Sequence, residues 1–107
     1  MTKIKKLADE IMDELESAKE YAEEYLTFKA KAATSDGTKN YGTWSKRYHE
    51  MAEDELKHSS YLHDRVVEEI EELRKVYTPP QEMMDKWDSD HRKYIEQAAW
   101  IKQMLTM

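Results

Sequence analysis

Two short segments contain all the glycine and proline of this 107-residue sequence. The first runs from Thr34 to Gly42 and holds both glycines, and the second, Thr78-Pro79-Pro80, holds both prolines. Such a low content of helix-breaking residues favours few turns and long elements. The remaining sequence is rich in Glu, Lys, Ala, Met and Leu, which are good helix formers. The sequence therefore predicts an all-α protein with helices over about residues 3–33, 43–77 and 80–105.

The connections between these helices are short, which makes consecutive helices antiparallel. We therefore expect a single domain, residues 1–107, folded as an antiparallel three-helix bundle. Thr78 is expected to cap the third helix, with Pro79 or Pro80 in its first turn. Three helices of roughly 40–55 Å each leave apolar surface uncovered on a thin bundle. Dimerisation into a larger bundle is a natural way to cover it.

Each predicted helix carries an apolar stripe at spacings of three and four residues, which is typical of a core-facing helix. The first stripe consists of Ile4, Leu7, Ile11, Ala18, Tyr21, Tyr25 and Phe28, flanked by Ala8, Leu15 and Ala22. The second consists of Trp44, Tyr48, Met51, Leu62, Ile70, Leu73 and Tyr77. The third consists of Met84, Trp87, Tyr94, Ala98, Ile101 and Leu105.

Four ionisable residues occupy positions where these stripes call for apolar side chains. They are Glu14, Glu55, His58 and His91. Burying an unpaired charge costs several kcal/mol, so such residues are expected to be paired, metal-bound or partly solvated. This makes the four residues candidates for a functional site.

Glu55 and His58 are three residues apart, which places them on one face of a helix, here predicted to face the core. A carboxylate oxygen and an imidazole nitrogen at this spacing converge on one cation, and bundle cores that bind two metal ions use this arrangement. The two ligand types suit iron, with manganese or zinc as alternatives. The competing interpretation is a pair on the surface flank of a rotated helix. For Glu14 the alternative is likewise a solvated flank, and for His91 it is a hydrogen-bonded core or interface histidine.

Counting along the helices predicts which of the four residues lie at one level. Glu14 is 19 residues before the predicted end of the first helix at Ala33. If the second helix starts near Lys39, Glu55 and His58 lie 16 and 19 residues into it. In an antiparallel pair Glu14 therefore lies level with Glu55 and His58. For His91 the same count leaves an offset of roughly 12 Å from His58, so it would reach the site only from a tilted helix or another chain.

Two stretches resemble the ferritin-like superfamily, which includes ferritins, bacterioferritins, rubrerythrins and encapsulated ferritins. Residues 51–65, MAEDELKHSSYLHDR, look like a family helix with an acidic doublet, Glu-x-x-His and a leucine four residues later. Residues 14–22 are similar to the family's first helix, in which a ligand glutamate often lies seven residues before a tyrosine, as Glu14 precedes Tyr21. The resemblance covers roughly the first 75 residues.

The resemblance implies that Glu14, Glu55 and His58 are metal ligands, with Tyr21 or Tyr25 near the site. It also implies a di-iron ferroxidase that oxidises Fe(II) with O₂ or peroxide. The family's fourth helix, with its second Glu-x-x-His, is absent, and the third helix offers only Asp88, His91 and Glu96 as nearest candidates. The encapsulated ferritins are similarly short and build their site between two subunits, which implies a homodimer here. His91 remains a further candidate ligand.

Composition excludes several other classes. Net charge is −6, which opposes nucleic-acid binding. There is no cysteine, which excludes disulfides and thiolate chemistry. No apolar run approaches the ~20 residues of a membrane span, and residues 1–6 are not followed by the apolar segment of a signal peptide. We therefore expect a cytoplasmic protein without nucleic-acid or membrane partners.

A second class of function stays open from the sequence. The chain could be a non-enzymatic helical scaffold or interaction protein without metal, whose polar stripe residues fix helix register or dimer pairing. Its seven tyrosines, three tryptophans and seven methionines supply adaptable surface for a partner. Its size and acidity also look like those of small phage-encoded helical proteins.

Overall fold

The computed structural model describes residues 2–107 apart from Asp36 and Thr38. Its helices are α1 (Thr2–Thr34), α2 (Tyr41–Arg74) and α3 (Gln81–Met104). No strand occurs among these residues, so the predicted all-α helical bundle is confirmed. The chain forms a rod 63 Å long and 17 by 16 Å across. No helix in the described part has the length and apolar character needed to cross a bilayer.

Helix α2 begins two residues before its predicted start and ends three residues before its predicted end. The backbone carbonyl of Asn40 accepts the N–H of Trp44 at 3.0 Å, which closes a first turn at Tyr41. At the other end the N–H of Lys75 bonds to the carbonyl of Glu72 at 3.3 Å, a tighter turn than that of an α-helix. Pro79 disfavours a helical backbone at Thr78, the residue before it, so the chain does not resume the helix there.

The predicted cap of α3 at Thr78 is wrong. Pro80 holds the cap position, with φ −57° and ψ 139°, and no side chain caps the helix. Its carbonyl accepts the N–H of Met84 at 3.2 Å. A proline fits here because its ring fixes φ near the observed value, and because this position donates no helical hydrogen bond.

Small side chains line the contact between α1 and α2. The buried members of this line are Ala18, Ala22, Ser45, Ala52 and Ser59. Neither serine is left unsatisfied: the Ser45 hydroxyl donates to the carbonyl of Tyr25 at 3.2 Å, and the Ser59 hydroxyl donates to that of Leu56 at 2.7 Å. Small residues let helix axes approach closely, so α1 and α2 form the tightest pair of the bundle.

The apolar face predicted for α2 is therefore wrong at several positions. Trp44, Met51 and Tyr77 are 44%, 38% and 45% exposed. The buried line runs one residue later than the large side chains suggest, through Ser45, Ala52, Ser59 and Val66. The close approach of α1 favours small residues at Ser45, Ala52 and Ser59, and the large side chains of Trp44 and Met51 lie along the edge of the contact.

Helix α3 packs mainly against α1, and its two halves differ in how deeply they are held. The second half buries Ala98, Ile101, Met104 and Leu105, which includes three residues of the predicted stripe. The first half buries no side chain fully, and its apolar residues from Met83 to Tyr94 are half-buried. The end of the chain is also fastened, because Lys29 donates to the carbonyl of Met107.

Candidate metal centre

Glu14 of α1 and the pair Glu55 and His58 of α2 form one cluster. Each residue offers one ligand atom, and these atoms all lie within 4.8 Å of one another. Nδ1 of His58 is 3.6 Å from Oε2 of Glu14 and 4.0 Å from Oε1 of Glu55. No other group of three such residues converges in this way in residues 2–35 and 39–107.

The register of α1 against α2 brings these residues to one level. Near one end of the pair, Nζ of Lys3 lies 3.0 Å from Oε1 of Glu69. Near the other end, the hydroxyl of Ser45 bonds to the backbone of Tyr25. Glu14 lies halfway between these two contacts, and the constant rise of a helix then places it opposite Glu55 and His58, as the residue count predicts.

The cluster lies on a flank of the α1–α2 pair and not in the core. The side chain of His58 is 54% exposed, and those of Glu14 and Glu55 are 31% and 23% exposed. His58 precedes the buried Ser59 by one residue, and it is turned about 140° around the helix from His63, which contacts α3. The prediction that His58 faces the core of the chain is therefore wrong.

We call this side of the pair the open flank, because α3 covers the other side. It carries large apolar or half-buried side chains at helical spacing on both sides of the cluster. On α2 these are Trp44, Met51 and Leu62, and on α1 they are Leu7, Tyr21 and Phe28. The open flank is thus an apolar stripe with two carboxylates and one imidazole at its centre.

One atom of the cluster lacks the partner that its burial requires. Oε2 of Glu14 is buried and has no hydrogen-bond partner, because 3.6 Å to His58 is too long for a hydrogen bond. A buried acceptor left without a partner costs about 1–3 kcal/mol, and more if charged. A cation bound between the three residues would remove this cost.

The spacing of the ligand atoms also suits a transition-metal ion. Carboxylate and imidazole ligands lie about 2.0–2.2 Å from such an ion, so two of them are at most about 4.0–4.4 Å apart. The widest separation here is within 4.8 Å. Shifts of a few tenths of an ångström in these partly exposed side chains would bring the ligand atoms within that limit.

The other predicted site residues, His91, Tyr21 and Tyr25, each contact an aromatic or histidine ring of another helix. His91 stacks on His63 with ring centroids 4.9 Å apart and does not belong to the cluster. Tyr21 packs against Tyr48 at 6.1 Å, and Tyr25 packs edge-on against His49 at 4.8 Å. Along the axis of α1 the two tyrosines lie about 10 Å and 16 Å beyond Glu14.

Two histidines that are not among the predicted site residues, His49 and His63, make specific contacts. Nε2 of His49 is 2.9 Å from the carbonyl of Leu105, which fastens the end of α3 to α2. The His63 ring stacks on those of His91 and Tyr94 of α3 and makes a tilted contact with Trp87. A signal for both was present, because His49, Leu56, His63 and Ile70 recur every seven residues, which is the spacing of a helix–helix seam.

A groove of about 610 Å³ opens between the start of α1 and the start of α3. Ile4, Ala8, Met83 and Trp87 form its apolar walls. It shares no residue with the cluster. Its charged lining residues are Lys5, Glu82, Lys86 and Asp90, and they form no group of three potential metal ligands. We therefore place the candidate chemistry at the open flank.

Comparisons of this chain with models of protein families, with curated proteins and with solved structures found no match. The ferritin-like resemblance accordingly rests on residues 14–22 and 51–65 alone.

Proposed function

We propose that this chain is a ferritin-like metal-binding protein whose ligands are Glu14, Glu55 and His58. The observation that carries the proposal is the convergence of two carboxylates and one imidazole from two helices, around a buried carboxylate oxygen without a hydrogen-bond partner. Structural ion pairs seldom leave such an atom unsatisfied. His91 is left out of the proposed site because it stacks on His63.

Iron is the metal that we expect, with manganese or zinc as alternatives. Carboxylate and imidazole ligands together suit all three ions. The proposed site has two carboxylates and one imidazole, and the chain has no cysteine. This ligand set favours iron or manganese over zinc, which often occupies sulfur-rich sites.

A second copy of the chain would complete the site. Three ligands leave coordination positions open, and the open flank keeps Trp44 and Met51 exposed. Two copies joined at this flank would contribute one glutamate from each α1 and one Glu-x-x-His from each α2. That is the ligand set of the di-iron and di-manganese carboxylate bundles. The proposed unit is therefore a homodimer with a shared two-metal centre.

Such a centre would act as a ferroxidase in the cytoplasm. Two Fe(II) ions would each give up one electron, and the pair would reduce one O₂ with two protons to hydrogen peroxide. The protein's own part is to hold both ions close together with carboxylates, which stabilise Fe(III) over Fe(II) because they are hard anionic ligands.

Metal titration of the purified chain tests the proposal. We expect about one Fe(II) or Mn(II) per chain in isothermal titration calorimetry. Glu14→Gln and His58→Ala should each weaken binding by more than the roughly 10–100-fold that loss of an outer-shell partner costs. Glu16→Gln, which removes an exposed carboxylate from the same helix, should bind as the wild type does. Equal metal binding by all four proteins, or none by the wild type, would contradict the proposal.

The dimer is tested separately by light scattering with and without metal. A dimer that Met51→Glu dissociates would support the open flank as the interface. A monomer that binds metal with three ligands would reject the shared centre while leaving the single-chain site standing.

A metal-free scaffold is the second candidate function. The observation in its favour is that His58 lies within 4.0 Å of both carboxylates, so a protonated imidazole would bridge α1 and α2 and fix their register. This role predicts that Glu14→Gln lowers the stability of a protein treated with chelator. The metal site predicts no loss, or a gain, because the substitution replaces a carboxylate whose Oε2 is buried without a hydrogen-bond partner.

A further inference from the structure

Two histidine rings from different helices stack between α2 and the first half of α3. The ring of His63 lies 4.9 Å from that of His91 at 24° and 5.0 Å from that of Tyr94 at 12°. Trp87 adds tilted contacts to both histidines, at 5.8 Å and 5.4 Å. These four rings are the aromatic contacts that join α2 to the weakly buried half of α3.

The stack suits neutral rings. Nε2 of His63 is buried and has no hydrogen-bond partner, so it cannot share an added proton with a protein acceptor. Burial and the neighbouring His63 hold the pKa of His91 below its ordinary value, while the Asp88 carboxylate acts in the opposite direction. Two protonated rings at this separation would repel each other.

The charged groups around the stack do not cancel that repulsion. On α2, Oδ1 of Asp64 is 3.4 Å from Nδ1 of His63, on an exposed side chain. On α3, Lys86 pairs with Asp90 at 2.7 Å and reaches Asp9 of α1 at 4.0 Å. Lys86 offsets only one of the two carboxylates of Asp90 and Asp9. The Asp88 carboxylate acts to raise the pKa of His91, but burial and the neighbouring His63 outweigh it.

We propose that the His63–His91 stack is an acid-sensitive latch, which holds the first half of α3 on α2 at neutral pH and releases it when the rings are protonated. Release is confined to this half because the second half stays anchored by the buried Ile101 and Leu105 and by the bond from His49 to the chain end. The released state exposes the apolar wall of α1 that α3 covers, including the neighbourhood of Ala8 and Met12.

Hydrogen exchange of the full-length chain between pH 7.5 and 5.0 tests the latch. Because the released state binds more protons, the protection factors of residues 84–94 should fall by up to about tenfold per pH unit for each proton below pH ~6.5. The protection factors of α1 and of residues 98–104 should change much less. Parallel loss along the whole chain would mean general acid unfolding and would overturn the latch.

Matched variants separate the stack from other titrating groups. His91→Phe keeps an aromatic ring in the stack but cannot be protonated, so it should abolish the pH dependence while residues 84–94 stay protected at pH 7.5. His58→Gln, on the open flank, should keep the wild-type dependence. Should His91→Phe fail to dock α3, His63→Phe offers the same test from α2. A pH dependence that survives in a docked variant of either residue would refute the proposal.

Discussion

Each flank of the α1–α2 pair carries a histidine of α2, but the two histidines have different surroundings. On the covered flank, His63 is stacked between rings of α3 and stays close to apolar groups. On the open flank, His58 lies among carboxylates and is half exposed. The role of a histidine on an apolar stripe therefore depends on its neighbours from other helices. His63 packs against aromatic rings of α3 and contributes to helix packing. His58 lies beside two carboxylates with no third helix over it, which makes it a candidate ligand.

The largest effect is expected where both flanks depend on one residue. Leu15 is fully buried and belongs to the core that α1 shares with both other helices. Leu15→Ala should lower the free energy of unfolding by about 2–5 kcal/mol, measured by urea denaturation. A loss below about 1 kcal/mol would mean that α1 is not the common wall of the two flanks.

Adding metal tests whether the open flank is a binding site. If the cluster binds Mn(II), the ion at 100 times its Kd should raise the free energy of unfolding by about 2.7 kcal/mol. His58→Ala should remove that increase, whereas His63→Phe should preserve it because its ring lies on the other flank. Equal stabilisation of both variants would place the ion away from Glu14.

Lowering the pH in the absence of metal tests whether the histidine stack on the covered flank makes the stability depend on pH. The pKa of His91 is held below its ordinary value in the folded chain, so the unfolded chain binds more protons in this range. The free energy of unfolding should therefore fall as the pH drops below about 6.5, by at most about 1.4 kcal/mol per pH unit. Partial exposure of the ring makes the change smaller. Guanidinium denaturation at pH 7.5, 6.0 and 5.0 measures it, and His91→Phe should flatten it.

The smallest effect is expected at the end of the rod, where the two flanks meet the chain terminus. His49→Ala removes the bond from Nε2 to the carbonyl of Leu105 and should cost about 0.5–1.5 kcal/mol. Amide exchange should rise at residues 101–105 and stay unchanged at the cluster. Increased exchange at Glu55 would show that the two ends of α2 are coupled.

The sequence predicted the parts of this structure that follow from local chemistry. The glycine and proline clusters located both turns, and the stripe of α3 through Ala98, Ile101 and Leu105 matches its burial. The common level of Glu14, Glu55 and His58 followed from the fixed rise of a helix, which needs no knowledge of packing. Whether a metal binds there stays a prediction.

What could not be predicted depends on contacts between helices. Ser45, Ala52 and Ser59 form the buried line of α2, yet their small or polar side chains add little to a hydrophobic pattern, and the larger neighbours dominated it. The contact between His91 and His63 could not be predicted either, because the two residues lie on different helices and no sequence pattern pairs them. Tertiary packing decided both cases.

The small-residue line between α1 and α2 has a consequence for ion size. Alanine and serine at a helix contact place the two axes toward the short end of the usual range of about 8–10 Å. Glu14 and Glu55 reach across that gap from opposite backbones, so the separation of the helix axes affects how far apart their carboxylates lie. Enlarging Ala52 by one or two carbons should push the axes apart and widen the ligand separation, now within 4.8 Å. A wider cluster would favour Ca²⁺, whose ligand bonds are 2.3–2.6 Å long, over ions with bonds near 2.1 Å, without changing any ligand.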